Sequence, residues 1–472
     1  MAESAKTEEE RRALGDEETA EDMPSANVAP VLAEDEALEL KKIEELSISE
    51  KKGPLDDREE SEIQAVTSGN TVYEAAVKFE DLNLSEELIK GLYIEMNFTR
   101  PSKIQAVSLP MILTPPYKDL VAQAHNGSGK TTCFVLGMLS RVDPTKEGPQ
   151  TSLMGKYTGI TSTCAIPTDS ANYVPMYKRP EVKEHVVIGT PGTIKKLMTA
   201  KKLRTRNIKI LVFDEADHML AEDGFKDDSQ RIMKDIRRES GGFQVLLFSA
   251  TFNETVKAFV SNVVRDGNQI FVKKEELTLE KVKQYKVQCY RDRERPDEGL
   301  KIKVIKKILL FGMKIGQTII FVRTKESSRN LYKELSDEDY ECTSIQGALN
   351  IEVRDKIIKE FKDGLTQVLI TTDLLARGFD QEQVNLVINF DLPVVYESLK
   401  RGSPEPDCEV YLHRVGRTGR FGRNGAVFNL LGSREEEALL EMIERHFQHS
   451  IPKVDWEDDK NINKAIKDAG LK

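Results

Sequence analysis

Short oily runs alternate with amphipathic ones along most of this chain. DLVAQA (119–124), ITSTCAI (160–166), HVVIG (185–189), IKILVF (208–213) and FQVLLFS (243–249) are brief, apolar and bounded by polar residues. That is the pattern of buried strands. YKVQCY (285–290), QTIIFVR (317–323), QVLITT (367–372), NLVINF (385–390) and AVFNLL (426–431) form a second set. Helical stretches lie between them. LSEELIKGLYIEM (84–96) sets Leu88, Leu92 and Met96 at i, i+4 and i+8, with Ser85 placed to cap it. REEEALLEMIERHFQ (434–448) opens on Ser433 and Glu436, a capping-box pair, and predicts a final helix. Strands alternating with helices predict parallel sheets wrapped by helices. The charged stretch KKEELTLEKVK (273–283) separates the two sets and predicts two α/β lobes.

Composition changes the picture mainly at the ends. Residues 1–72 contain no Phe, Trp or Tyr and are rich in Glu, which predicts a disordered acidic arm. Within it EDEALELKKIEELSI (34–48) has the pattern of a helix that forms transiently or on a partner. Residues 1–62 hold 21 acids and 8 bases, so the net charge of −10 belongs to the arm and the remaining 410 residues stand at +3. Such a body permits nucleic-acid binding without demonstrating it. Five scattered cysteines with no CxxC pair argue against a zinc site or a disulfide frame. No apolar run reaches membrane-spanning length, and the acidic start resembles no signal peptide.

Three stretches carry chemistry. AHNGSGKTT (124–132) follows the first strand. Its glycines let backbone N–H groups close around phosphates, Lys130 can reach the β- and γ-phosphates, and Thr131 can ligate Mg²⁺. The usual pattern has Gly where this chain has Ala124. VFDEADHML (212–220) ends a strand in three acids. Alone it reads better as an acidic loop capping the next helix. Beside a phosphate loop, Asp214 fits the carboxylate that holds Mg²⁺, and Glu215 can deprotonate a water aimed at the γ-phosphate. HRVGRTGRFGR (413–423) spaces arginines by three. Arg417 and Arg420 can steady developing charge, although a basic surface turn fits that stretch alone almost as well. A cleft between two lobes that closes on ATP unites all three.

DEAD (214–217), SAT (249–251), HRVGRTGR (413–420) and FTRPSKIQ (98–105) resemble the DEAD-box RNA helicase family, in the family's order, over roughly residues 75–450. The resemblance implies two RecA-like parallel-sheet domains in tandem, a P-loop NTPase fold. It implies residues 73–275 as the ATP-binding domain, 276–284 as linker, 285–455 as the C-terminal helicase domain and 456–472 as a tail. It implies an ATP site of Phe98, Gln105, Ala124, Asn126, Gly127, Ser128, Gly129, Lys130, Thr131, Thr132, Gly378 and Asp380, with Gln105 reading the adenine edge and Phe98 packing on its face. Asp217, Ser249 and Thr251 would couple nucleotide state to lobe closure. RNA contacts would come from Thr190, Pro191, Gly192, Arg323, Gly347, Thr371 and Thr372, with Thr193 where the family has Arg. Backbone contacts of this kind position a strand without reading its sequence.

RPSKIQA, LLARGFDQEQVNLVINFD and EPDCEVYLHRVGRTGRFGR further resemble the subfamily that serves mRNA export. That implies a monomer in cytoplasm and nucleus, at the cytoplasmic face of the nuclear pore, with messenger RNA, a nucleoporin and an inositol-phosphate-dependent activator as partners. One family segment is missing. Nothing here matches P-T-R-E-L-A, and DPTKEGPQTSLMGKYTG (143–159) runs from the P-loop helix straight to a later strand. One strand–helix unit of the first domain is therefore expected to be absent, which opens a gap or makes its neighbours re-pair. Two readings follow: an RNA-dependent ATPase that unwinds short duplexes, or a catalytically weakened variant that holds RNA or partners. Chemistry at the nucleotide is expected to survive better than RNA-coupled unwinding.

Overall fold

The central strand of the first lobe is β2 (Leu120–Gln123), four residues buried on both faces. It pairs in parallel with β6 (Gln244–Ser249) and β7 (Asn268–Val272), and β6 pairs in parallel with β5 (Ile210–Phe213). β1 (Ile63–Val66) closes the far edge antiparallel to β7, giving the order β1-β7-β2-β6-β5. These ladders come from a computed structural model of the chain. It describes residues 63–67, 73–124, 127–142, 154–165, 174–221, 224–264, 266–272, 282–291, 298–312, 315–347, 349–373, 381, 383–419 and 424–471, all within one unit, Ser49–Lys472. The 34–48 segment lies outside these residues. The arm expected to run to residue 72 is shorter by one strand, because β1 belongs to the sheet.

The sheet stops at β5. β3 (Ser162–Ala165) and β4 (Val186–Gly189) pair in parallel with each other as a separate sheet of two. No ladder joins them to β5 among the described residues. Ile210, Leu211 and Val212 are only half-buried, and Ile188 of β4 is 55% exposed. Among the described residues, β5 and the β3–β4 pair remain apart. The pair stays on the lobe through helices on one face: α1 (Pro191–Thr199) packs against α2 (Phe225–Glu239), and Lys195 bonds Asp228 at 2.5 Å.

The second lobe has one uninterrupted sheet, ordered β10 (Cys342–Ile345), β11 (Val368–Thr371), β9 (Gln317–Phe321), β12 (Val384–Asn389), β13 (Gly425–Leu431), β8 (Val282–Gln288) and β14 (Lys453–Val454). All its ladders are parallel. β8 begins inside the stretch expected as linker, which the strand shortens. The expected tail is also corrected. Asp459–Asp468 forms a helix capped by Asp458, and Ile462, Ala465, Ile466 and Leu471 enter the lobe's core. The helix over Arg434–Phe447 is therefore not the last. The 394–410 excursion is tied at its base by a bridge between Val394 and Pro406, and Val395, Tyr396 and Leu399 on it are exposed. No helix among the described residues is long and apolar enough to cross a membrane.

Candidate nucleotide and RNA site

At the end of β2 the backbone turns left-handed at Gly127 (φ 72°) and Gly129 (φ 99°), a conformation a side chain disfavours. Gly129 then starts the helix α3 (Lys130–Leu139). Lys130 is buried, and its ammonium donates to Ala124 O at 2.5 Å, so the side chain folds over the loop it springs from. Thr131 is exposed at the first turn and Thr132 is buried. Ala124 N donates to Ser249 O at 3.1 Å, which joins this loop to the end of β6.

A second segment braces the loop. Ser102 starts the helix α4 (Lys103–Leu113), and Gln105 Oε1 accepts from Ser102 N at 2.9 Å. Gln105 Nε2 donates to Gly129 O at 3.3 Å, and Ser102 Oγ donates to Ser128 O at 2.8 Å. Gln105 is entirely buried. Its observed work is to hold the glycine loop in shape. Phe98 is also buried, stacked on Phe79 with ring centroids 6.4 Å apart.

Asp214 and Glu215 stand where β5 ends. Asp214 is exposed at its surface, yet desolvation by the surrounding protein pushes its carboxyl up to about 6. Lys130 pulls the other way, and the negative neighbours Glu215 and Asp217 add to the rise. Glu215 holds φ +47°, a strained value for a side-chain-bearing residue, and its N–H donates to Asp214 Oδ1 at 3.0 Å. Strain of this kind gathers at functional positions.

Asp217 is a hub. Its Oδ2 accepts from Thr251 N at 3.1 Å and Thr251 Oγ1 at 2.8 Å, and its own N–H donates to Ser249 Oγ at 3.2 Å. The same Oδ2 lies 3.4 Å from His413 Nε2 of the second lobe. Both side chains are fully buried there. Asn253 Nδ2 also crosses, donating to Glu409 Oε1 at 2.5 Å. The lobes are thus closed on each other, with the DEAD turn at their seam. Arg417 sits on that seam, its Nε donating to His413 O at 3.1 Å.

Arg414 does something the sequence did not announce. It is 1% exposed, bonds Asp373 Oδ1 at 2.7 Å, Asn389 Oδ1 at 3.0 Å and Asp391 O at 2.7 Å, and lies over the Phe321 ring. It fixes the helix α5 (Cys408–Val415) that presents His413. His413, Arg414, Asn253 and Glu409 were missed as site residues. The first two lie inside HRVGRTGRFGR, whose arginine spacing points to Arg417 and Arg420. Asn253 and Glu409 are 156 residues apart, with no local signal.

The residues expected to meet RNA divide. Thr190, Pro191 and Gly192 form the accessible N-terminal turn of α1, with Thr190 at its cap. Gly347 is exposed, and Arg323 is partly exposed. Thr371 is fully buried, and its hydroxyl donates to Thr372 O at 2.9 Å. Thr372 beside it is half-buried. Asn126, Gly378, Asp380 and Arg420 lie outside the described residues.

Residues 102–259 match the family model for DEAD/DEAH box helicases, and residues 300–422 match the helicase conserved C-terminal domain. The DEAD-box ATP-dependent RNA helicase 38 of Oryza sativa subsp. japonica is 62% identical over 436 residues, covering 88% of this chain and 84% of that protein. This chain belongs to the DEAD-box ATP-dependent RNA helicases. Among solved structures, S. cerevisiae Dbp5 bound to RNA and ADP BeF3 superposes on the helicase with a TM-score of 0.74 at 34% identity, covering 84% of this chain and all of that one. A form of Dbp5 bound to Nup159, Gle1, IP6 and ADP scores 0.57 at 32% identity, covering 83% of this chain and all of that one. The two lobes are the tandem RecA-like domains of the family. The 436 positions aligned with the rice helicase exceed the 88% of this 472-residue helicase that they cover. That relative therefore has residues with no counterpart here.

Proposed function

We propose that the chain hydrolyses ATP in the seam between its lobes to open short RNA duplexes and remodel messenger ribonucleoprotein during mRNA export. The observation that carries this is Asp217. One buried carboxylate bonds the Ser249–Thr251 turn on its own lobe and meets His413 of the other. Closure is therefore built from the same turn that carries Asp214 and Glu215. Lys130 and the Gly127–Gly129 backbone would hold the phosphates. Glu215 would orient and deprotonate the attacking water, and Arg417 and Arg420 would steady charge on the transferred phosphoryl group. Asp214 and Thr131 suit Mg²⁺: hard oxygen donors, one of them a carboxylate whose ionisation burial resists. When bound, the ion would offset charge on the nucleotide's phosphates. The accessible turn at Thr190–Gly192, with Arg323, Gly347 and Thr372, would grip the RNA backbone.

Dbp5 has been captured with Nup159, Gle1 and IP6, which supports a nucleoporin and an inositol-phosphate-dependent activator as partners. We infer further that this helicase works as a monomer at the cytoplasmic face of the nuclear pore and is found in cytoplasm and nucleus. A second reading, a weakened enzyme that holds RNA or partners, is favoured by the broken first-lobe sheet. ATP turnover with and without RNA separates the two. Active protein gives RNA-stimulated turnover, and Glu215→Gln lowers it by about 10²–10⁴. Turnover indifferent to that substitution removes Glu215 as the base. Duplex separation should be slower than in a version with a strand–helix unit restored after the P-loop helix, while ATP binding changes little. Equal unwinding rates would end the idea that the break weakens RNA coupling.

A further inference from the structure

Lys301 is the one buried lysine of the second lobe among the described residues, 5% exposed on the helix α6 (Glu298–Phe311). Its ammonium donates to Phe390 O at 2.6 Å and Glu436 Oε2 at 3.0 Å, and approaches Asp391 Oδ1 at 3.5 Å. Both carboxylates are themselves largely buried, at 14% side-chain exposure. Each uses its other oxygen on Arg323. Asp391 Oδ2 accepts from Arg323 N at 2.7 Å, and Glu436 Oε1 lies 3.8 Å from the Arg323 guanidinium. Arg323 also donates to Leu392 O at 3.3 Å and keeps 37% of its side chain exposed. The pocket is closed from behind by Gly432. Its N–H donates to Glu436 Oε2 at 2.7 Å, and a Cβ there would stand 2.8 Å from Lys301 Cε.

A desolvated lysine between two carboxylates is tolerated when every member is paired, and it fixes geometry more than it adds stability. Here the geometry it fixes is that of one partly exposed arginine at the end of β9. Glu436 shows the same priority. It stands at the third position of its helix, where a capping-box carboxylate would return to Ser433 N. It turns instead to Gly432 N and Lys301. We infer that Lys301 is a positioning residue for RNA engagement: it sets Asp391 and Glu436, which together hold the Arg323 backbone and guanidinium in the orientation that meets the RNA strand. This rests on the reading of Arg323 as an RNA contact.

The test is RNA-stimulated ATPase on the full chain, read as the RNA concentration for half-maximal rate, the limiting rate and the KM for ATP. Lys301→Met should raise the RNA half-saturation at least tenfold, with the limiting rate and the KM for ATP within about twofold. Glu436→Gln keeps the fold safer and should raise it about threefold. Lys301→Met added to Arg323→Ala should give no further loss, since the lysine acts through the arginine. If Arg323→Ala leaves RNA half-saturation unchanged, the reading of Arg323 as an RNA contact fails, and this inference with it. If Arg323→Ala raises half-saturation while Glu436→Gln and Lys301→Met stay within twofold, the positioning role alone is overturned. Should Lys301→Met not fold, Glu436→Gln and Gly432→Ala decide: a rise in RNA half-saturation in either supports the inference, and no change in both overturns it.

Discussion

Two lobes of one architecture differ in how their sheets end. In the second, every central strand has a neighbour on each side, and β9, β11 and β13 are buried along their whole length. In the first, β5 is paired on one side only among the described residues, and three of its four residues are half-buried. Parallel strands reach full burial when neighbours and helices cover them all round. The first lobe therefore has the weaker half of its sheet under its own chemistry, because Asp214, Glu215 and Asp217 all hang from β5. The seam with the second lobe partly compensates. Asp217 is buried through β6 and His413, on the side away from the break.

The largest consequence is that the lobes should unfold separately. The single tryptophan, Trp456, packs on the second lobe's core. Its fluorescence reports that lobe, while far-ultraviolet circular dichroism reports both. In urea the dichroism should begin to fall before the fluorescence moves, and coincident curves would remove the difference between the lobes. A matched pair of substitutions sharpens it. Leu369→Ala in β11, fully buried, should destabilise its lobe by about 3–5 kcal/mol, whereas Leu211→Ala on β5 should cost about 1–2 kcal/mol. Equal costs would mean that β5 is as well covered as β11.

A smaller effect separates the glycine turns. A Cβ on Gly129 would stand 2.4 Å from Gln105 Nε2, at φ 99°. Gly129→Ala should cost about 1–3 kcal/mol and raise the KM for ATP about tenfold, because the brace from Gln105 is displaced. A Cβ on Gly347 in the second lobe would meet no atom within 4 Å, so Gly347→Ala should leave stability within about 0.5 kcal/mol. A Gly129→Ala protein that binds ATP normally would show that the brace is dispensable.

What the sequence made legible follows from locality. The glycine loop, the acidic strand end and the paired lobes are patterns of a few residues each, and the ends of β2 and β6 that carry the loop and Ser249 are hydrogen-bonded to each other. Elements held by distant packing were not legible. β1 depends on β7 some two hundred residues away, β10 is short and half polar, and Asp459–Asp468 reads as tail until Ile462 and Ile466 are seen in the core. Polar residues were legible by type but not by direction. Gln105 turns both ends of its amide to the chain itself, and Thr371 buries its hydroxyl. The break in the first sheet was visible as an absence of expected residues, but which strands it would part was settled only by the ladders.

The finest test of the comparison needs no substitution. Along a parallel strand, successive N–H groups point to opposite edges. β9 has β11 on one side and β12 on the other, so its amides find acceptors in both directions. β5 has β6 alone among the described residues, so every second amide over Ile210–Phe213 faces the break. Hydrogen exchange should therefore be slow at all interior residues of β9 and should alternate along β5, with the amides that face the break exchanging at rates set by local exposure and not by unfolding. Uniform protection along β5 would mean that something pairs with its open edge in solution, and the first lobe would then have the continuous sheet its neighbour has.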